Sequence, residues 1–211
     1  MYKLYSLEDP DLKLKTFLKR LINLFLKHQK VCHIALAGGR TPIELYRMLS
    51  KENLLWGKIK FYLTDERYVS LVSELSNYKA VRETLGDKAK LVFYKTDMDI
   101  EECALDYSLQ LPERLHITLL GVGKDGHTAS LFPKGECKKV SQKVCVSRSP
   151  DGLLRLSLTQ EYLNGSCVII FFVKGEEKKK ILEAMLRRED IPAVKVRGVL
   201  RTYLFTDISG L

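Results

Sequence analysis

The stretch Leu119-Leu120-Gly121-Val122-Gly123-Lys124-Asp125-Gly126-His127-Thr128-Ala129-Ser130-Leu131-Phe132-Pro133 decides how this chain is read. The run His116 to Leu120 has the apolarity and length of a buried strand, and it ends in a glycine-rich loop. Glycines let backbone amides approach a ligand and converge on an anion. The loop also carries Asp125 and His127, and the segment after it is expected to open a helix. A His in such a loop can take a proton from water. Strand-end loops of this kind line the ligand crevice of open α/β sheets. The spacing is not a dinucleotide fingerprint, because Gly123 is followed by Lys124, Asp125, Gly126 and His127.

Outward from this loop, helical and strand patterns alternate. Asp11 to Lys27 has a helical apolar face, and Val31 to Ala37 reads as a short buried strand. Thr41-Pro42 is suited to cap and open a helix through Leu49. Strand patterns follow at Lys58 to Thr64 and Leu91 to Tyr94, with helical patterns at Ser76 to Leu85 and Ile100 to Leu109. Beyond the loop, Lys143 to Ser147 and Leu153 to Leu158 flank a turn at Ser149-Pro150-Asp151-Gly152. A short helix at Thr159 to Leu163, an apolar strand at Val168 to Val173, a helix from Gly175 to about Arg188 and a last strand at Tyr203 to Thr206 complete the pattern. The alternation predicts an α/β fold with a mostly parallel sheet covered on both faces. No linker, repeat or low-complexity segment interrupts it, so residues 1–211 are read as one domain.

Composition narrows the function classes. The 211 residues are 45% hydrophobic, and 35 Lys and Arg against 26 Asp and Glu give a formal charge of +9. That excess suits an acidic partner, but the basic residues are scattered without interleaved aromatics, which argues against nucleic acid. Lys178-Lys179-Lys180 follows Glu176-Glu177 and reads as a plain exposed helix face. The five cysteines form no Cys-x-x-Cys pair, which argues for a reducing compartment and against a disulfide scaffold or zinc site. The first ten residues are too polar for a secretory signal, and Val168 to Val173 is too short to span a membrane. The expectation is a soluble cytoplasmic protein with no membrane partner.

Four further segments bear on chemistry. Asp65-Glu66-Arg67 directly follows an apolar strand; an Asp there can orient a His or a hydroxyl, and an Arg can grip a phosphate through two parallel hydrogen bonds. Gly38-Gly39-Arg40-Thr41-Pro42 joins a strand to a helix, a setting whose free amides suit an anion. Arg155 interrupts an alternating strand, and Lys174 ends the most apolar one; with Arg67 they are candidates for an anion pocket. His33 and His116 lie in apolar runs and read as core or edge residues, and His28 as an exposed helix end.

Together these segments resemble the 6-phosphogluconolactonases. The resemblance rests on the His127 loop and, in the same order, on Gly38-Gly39-Arg40-Thr41-Pro42, Thr64-Asp65-Glu66-Arg67-Tyr68-Val69 with Ser76-Asn77-Tyr78, and Leu154-Arg155-Leu156-Ser157-Leu158-Thr159. It spans residues from about 34 to 175. It implies a three-layer α/β/α sandwich shared with the sugar-phosphate isomerases and deaminases. It also implies hydrolysis of 6-phospho-D-glucono-1,5-lactone in the oxidative pentose phosphate pathway. His127 would be the general base, with Asp65 or Asp125 holding its imidazole. Gly123 and Gly126 would offer amides to the oxyanion, and Gly38, Gly39, Arg40, Thr41, Arg67, Arg155 and Lys174 would bind substrate. No cofactor or metal is implied; the partner is a small phosphosugar lactone, and the chain would be a monomer or weak homodimer. A glucosamine-6-phosphate deaminase and a non-catalytic sugar-phosphate sensor are the alternative readings. The chain departs from the family at Arg40, where a small Ser is usual, at Val69-Ser70 and at Lys134-Gly135.

Overall fold

A computed structural model describes residues 2–211. The chain order is β1 (Lys3–Ser6), α1 (Pro10–His28), β2 (Cys32–Leu36), α2 (Ile43–Ser50), β3 (Ile59–Leu63), β4 (Asp65–Arg67), α3 (Asn77–Leu85), β5 (Lys90–Val92), α4 (Ile100–Gln110), β6 (Ile117–Leu120), β7 (Cys137–Lys139), β8 (Val144–Arg148), β9 (Leu154–Leu158), α5 (Gln160–Asn164), β10 (Val168–Val173), α6 (Lys179–Arg187), α7 (Pro192–Lys195) and β11 (Arg201–Thr206). Short 3₁₀ turns at Trp56–Lys58 and Glu176–Lys178 lead into β3 and α6.

Seven strands form a parallel sheet in the order β1-β11-β10-β6-β2-β3-β5. Every residue of β10 is buried, as a strand covered on both faces requires. Helices flank the sheet in three layers. Helix α1 starts where Asp9 accepts from the Leu12 amide at 3.0 Å with Pro10 in its first turn, and buries Leu14, Leu18 and Ile22 at helical spacing. The chain runs outward from β2 through β3 to β5, then returns to the other side of β2 with β6. The carboxyl ends of β2 and β6 therefore mark the point where the strand order reverses, and a crevice opens there. The Gly38 loop leaves β2 at this point and the Gly121–His127 loop leaves β6.

The expected α/β architecture and mostly parallel sheet are present. Several local expectations are corrected. Strands β4 and β7 join β8 and β9 in a second, antiparallel sheet, ordered β4-β9-β8-β7. β4 and β7 span only three residues each, too short to show a periodicity. β1 forms in the segment read only as a polar terminus, because it needs pairing with β11 at the other end of the chain. No helix follows the His127 loop; a Thr128–Leu131 bridge turns the chain instead. Thr41 does not cap α2, whose start has no side-chain cap and lies one residue later, after Pro42. Cys137 and Cys145 form a disulfide. β7 and β8 pair so that Lys139 opposes Cys145, which makes Cys137 its diagonal neighbour on the same face. Among the described residues no helix is long and apolar enough to cross a membrane.

Candidate active site

A cavity of about 480 Å³ occupies the crevice at the ends of β2 and β6. Gly38, Gly39, Arg40, Thr41, Asp65, Arg67, Gly123 and His127 all line it. The sequence reading drew these residues from three separate segments, and the sheet topology brings them together.

His127 is held in two ways. Its Nδ1 lies 2.6 Å from Asp125 Oδ1, and its ring packs on Phe132 with centroids 4.8 Å apart. Asp125 also accepts the His127 amide at 3.2 Å. Partial burial works against the Asp125 charge, but the hydrogen bonds from His127 and its ring charge prevail and hold the carboxyl below its usual range. Of the two carboxylates left open as partners of the imidazole, Asp125 contacts it, whereas Asp65 bonds Thr64 and Ser130. Among the described residues Nε2, the other ring nitrogen, has no hydrogen-bond partner.

The loop that carries this pair needs two glycines. A Cβ on Gly123 would stand 2.1 Å from His127 Nδ1, so a side chain there would displace the imidazole. Gly126 has φ +87°, and its Cβ would meet Ile191 at 2.8 Å. Gly126 does not line the cavity; its carbonyl accepts from Ala193, anchoring the turn from behind.

Asp65 is fixed on both oxygens. Thr64 Oγ1 donates to Oδ1 at 3.0 Å and Ser130 Oγ to Oδ2 at 2.7 Å, while Asn77 Nδ2 donates to its carbonyl at 2.9 Å. Glu66 is fully buried and faces away from the cavity. It accepts from the amides of Arg67, Asn77 and Tyr78 and from Ser76 Oγ, which ties the N-terminus of α3 to β4. Burial nevertheless pushes its carboxyl up.

Positive charge dominates the rest. Arg40, Arg67 and Lys178 line the cavity against the single carboxylate of Asp65. Arg155 stands directly opposite Arg67 across β4 and β9, without lining the cavity itself. Burial and the Arg67 charge both weigh against the Arg155 charge, with Asp65 opposing them. Two neighbouring guanidiniums so placed favour an anion between them. Among the described residues the amides of Gly38, Gly39, Arg40 and Thr41 donate to no group of the chain. They add an uncharged anion cradle.

Lys174 is a correction. Its ammonium sits 2.6 Å from Asp11 Oδ2 at the start of α1 and does not reach the cavity. An ion pair with a residue 163 positions away has no signature near Lys174. Lys178 takes the place expected of it, with Nζ donating to the Val122 carbonyl at 2.8 Å. Its position one turn past the strand-end Gly175 was the available signal, obscured by the Lys178–Lys180 charge run. Asn77 also lines the cavity, and its Oδ1 is buried without a partner.

The chain is similar to known proteins along most of its length. The sequence pattern of the family described as glucosamine-6-phosphate isomerases/6-phosphogluconolactonase matches residues 11–204. A 6-phosphogluconolactonase of Thermotoga maritima is 32% identical over 96% of each chain. One from Treponema pallidum is 34% identical over 80% of this chain and 78% of the relative. The crystal structure of the Thermotoga maritima enzyme superposes with a TM-score of 0.91 at 30% identity, covering 98% of this chain and 99% of the other. The Trypanosoma brucei enzyme shares the fold, with a TM-score of 0.81 at 23% identity over 98% and 96% of the two chains.

Proposed function

This chain belongs to the glucosamine-6-phosphate isomerase/6-phosphogluconolactonase family, and we propose that it hydrolyses 6-phospho-D-glucono-1,5-lactone to 6-phospho-D-gluconate, a step of the pentose phosphate pathway. The observation that carries the mechanism is His127, held by Asp125, in one cavity with Arg67 and the free amides of the Gly38 loop.

The chemistry follows from that arrangement. A lactone is an ester, so water and a general base suffice. Asp125 keeps the proton on Nδ1, and Nε2 takes one from the attacking water. The water oxygen bonds to the lactone carbonyl carbon, whose oxygen becomes an oxyanion; the Gly123 and Gly126 amides, expected to receive it, instead donate to the His127 and Gly123 carbonyls and hold the loop in shape. The bond to the ring oxygen then breaks, and the imidazolium returns its proton to that oxygen. Arg40, Arg67 and Lys178, with the Gly38–Thr41 amides, hold the phosphate, and Arg155 reinforces Arg67. Asp65 accepts from sugar hydroxyls through lone pairs left over from Thr64 and Ser130. We place it in the cytoplasm as a monomer or weak homodimer acting on a free phosphosugar lactone, with no nucleic-acid or membrane partner.

The test is a proton-release assay on freshly generated lactone, corrected for spontaneous hydrolysis. Catalysed release supports the reading. Ammonia release from glucosamine 6-phosphate without lactonase turnover would place the chain with the deaminases instead. Stoichiometric binding without turnover would make it a sensor.

A further inference from the structure

We infer that Ser130 is a positioning residue of the reaction, setting the Asp65 carboxylate against the His127 loop. This rests on the lactonase reading above.

Ser130 is three residues past His127 and only 1% exposed. Each of its polar groups is taken by a different strand of the small antiparallel sheet. Its hydroxyl donates to Asp65 Oδ2 on β4 at 2.7 Å. Its amide donates to Ser157 Oγ on β9 at 3.2 Å. Its carbonyl accepts from Ser147 Oγ on β8 at 2.8 Å. Ser147 and Ser157 are themselves buried, at 4% and 0% exposure.

The sheet register explains why these groups meet. Asp65 opposes Ser157, Arg67 opposes Arg155, and Arg155 opposes Ser147. In antiparallel pairing, opposed residues and those two apart share a face. One face of the small sheet therefore presents both cavity side chains of β4 and both serines to the arm that leaves His127. The arm is held tightly on its other side as well. Thr128 Oγ1 bonds the Gly121 carbonyl, and Ala129 adopts φ +48°, a left-handed conformation that only surrounding contacts maintain. The serine thus ties Asp65, on the small sheet, to the arm of the loop that carries His127 from the end of β6. Without this donor the carboxylate keeps only the Thr64 hydrogen bond, on its other oxygen, and can turn so that its lone pairs no longer aim at the substrate.

The test separates positioning from general support. Ser130→Ala is expected to lower kcat about 10- to 100-fold, the scale of one charge-assisted hydrogen bond. Inhibition by inorganic phosphate, which reads the Arg67 and Gly38 subsite on the same strand and loop, should stay within about twofold of wild type. Asp65→Asn and the Ser130→Ala/Asp65→Asn double variant should have equal kcat, because the serine acts through the carboxylate. Ser130→Cys fills the same space with a weak donor and should fall between. If Ser130→Ala does not fold, by circular dichroism, Ser130→Cys carries the same comparisons. Wild-type kcat in a folded Ser130→Ala, an equal loss of phosphate affinity, or additive losses in the double variant would each overturn the inference. Failure of the wild-type protein itself to hydrolyse the lactone would instead sink the function reading on which it depends.

Discussion

Substituting Ala for Gly123 should disable the enzyme without touching any side chain assigned to the chemistry. The added Cβ would lie 2.1 Å from His127 Nδ1, 2.2 Å from its Cε1 and 2.5 Å from Asp125 Oδ1. Ordinary contact needs about 3.4 Å or more, so the imidazole must retreat by about 1.3 Å. A misplacement of about 1 Å commonly costs on the order of 10²-fold in rate. The cost in stability should be small. The His127 side chain is 34% exposed and has solvent to rotate into. Gly123 itself is not in the left-handed region, so Ala meets no backbone strain there. Replacing a glycine also narrows the unfolded ensemble, which offsets about 0.4–1 kcal/mol of any packing loss. The expected result is a protein with near-wild-type urea midpoint and phosphate affinity and a kcat at least about 10²-fold down. His127→Ala sets the floor, since loss of a general base costs roughly 10²- to 10⁴-fold. The assay is indicator-monitored proton release from fresh lactone, with the spontaneous rate subtracted. A folded Gly123→Ala enzyme within about threefold of wild-type kcat would refute the placement of His127 as the base.

Three other outcomes are expected. Asp125→Asn, which can turn an N–H toward Nδ1 and so favour the wrong tautomer, should lower kcat by at least about tenfold while leaving phosphate inhibition unchanged; equal kcat would remove Asp125 from the mechanism. Arg67→Ala should weaken 6-phosphogluconate binding by roughly 10- to 150-fold in calorimetry, with little effect on unphosphorylated gluconolactone and only partial rescue by Arg67→Lys, which lacks the planar fork. Stability should fall as pH drops from 7 to 5. Burial, with His116 and Lys60 nearby, lowers the His33 pKa to about 4 from 6.5. The unfolded chain therefore binds more protons below about 6.5, and the stability present above that value is lost progressively as pH falls towards 4. The slope should stay well under about 1.4 kcal/mol per pH unit, since the ring is only partly buried. His33→Gln should flatten the dependence of the urea midpoint on pH, and an unchanged slope in that variant would assign the effect elsewhere.

The sequence by itself determined the alternating elements and the loops that matter. A six-residue apolar strand such as Val168–Val173, or the helical stripe Leu14, Leu18, Ile22, is a pattern written within a few residues. The Gly38, Asp65 and His127 segments were legible because strand ends and glycine loops are local features. Tertiary structure decided which groups meet. Nothing near Lys174 reveals that Asp11 will neutralise it, and nothing in Lys178–Lys180 marks the first lysine as the one that reaches Val122. The choice of Asp125 over Asp65 as the partner of His127 depends on a loop closed by the Gly123 amide on the His127 carbonyl at 2.8 Å. β4 and β7 are three-residue strands with no periodicity of their own, so their sheet exists only through pairing with β9 and β8. Ser130 becomes more than a small residue in a turn only when three strands bring Asp65, Ser147 and Ser157 to it. Local signals set conformation over a few residues, whereas partners are chosen by sheet order and register, which the packing of the whole core imposes.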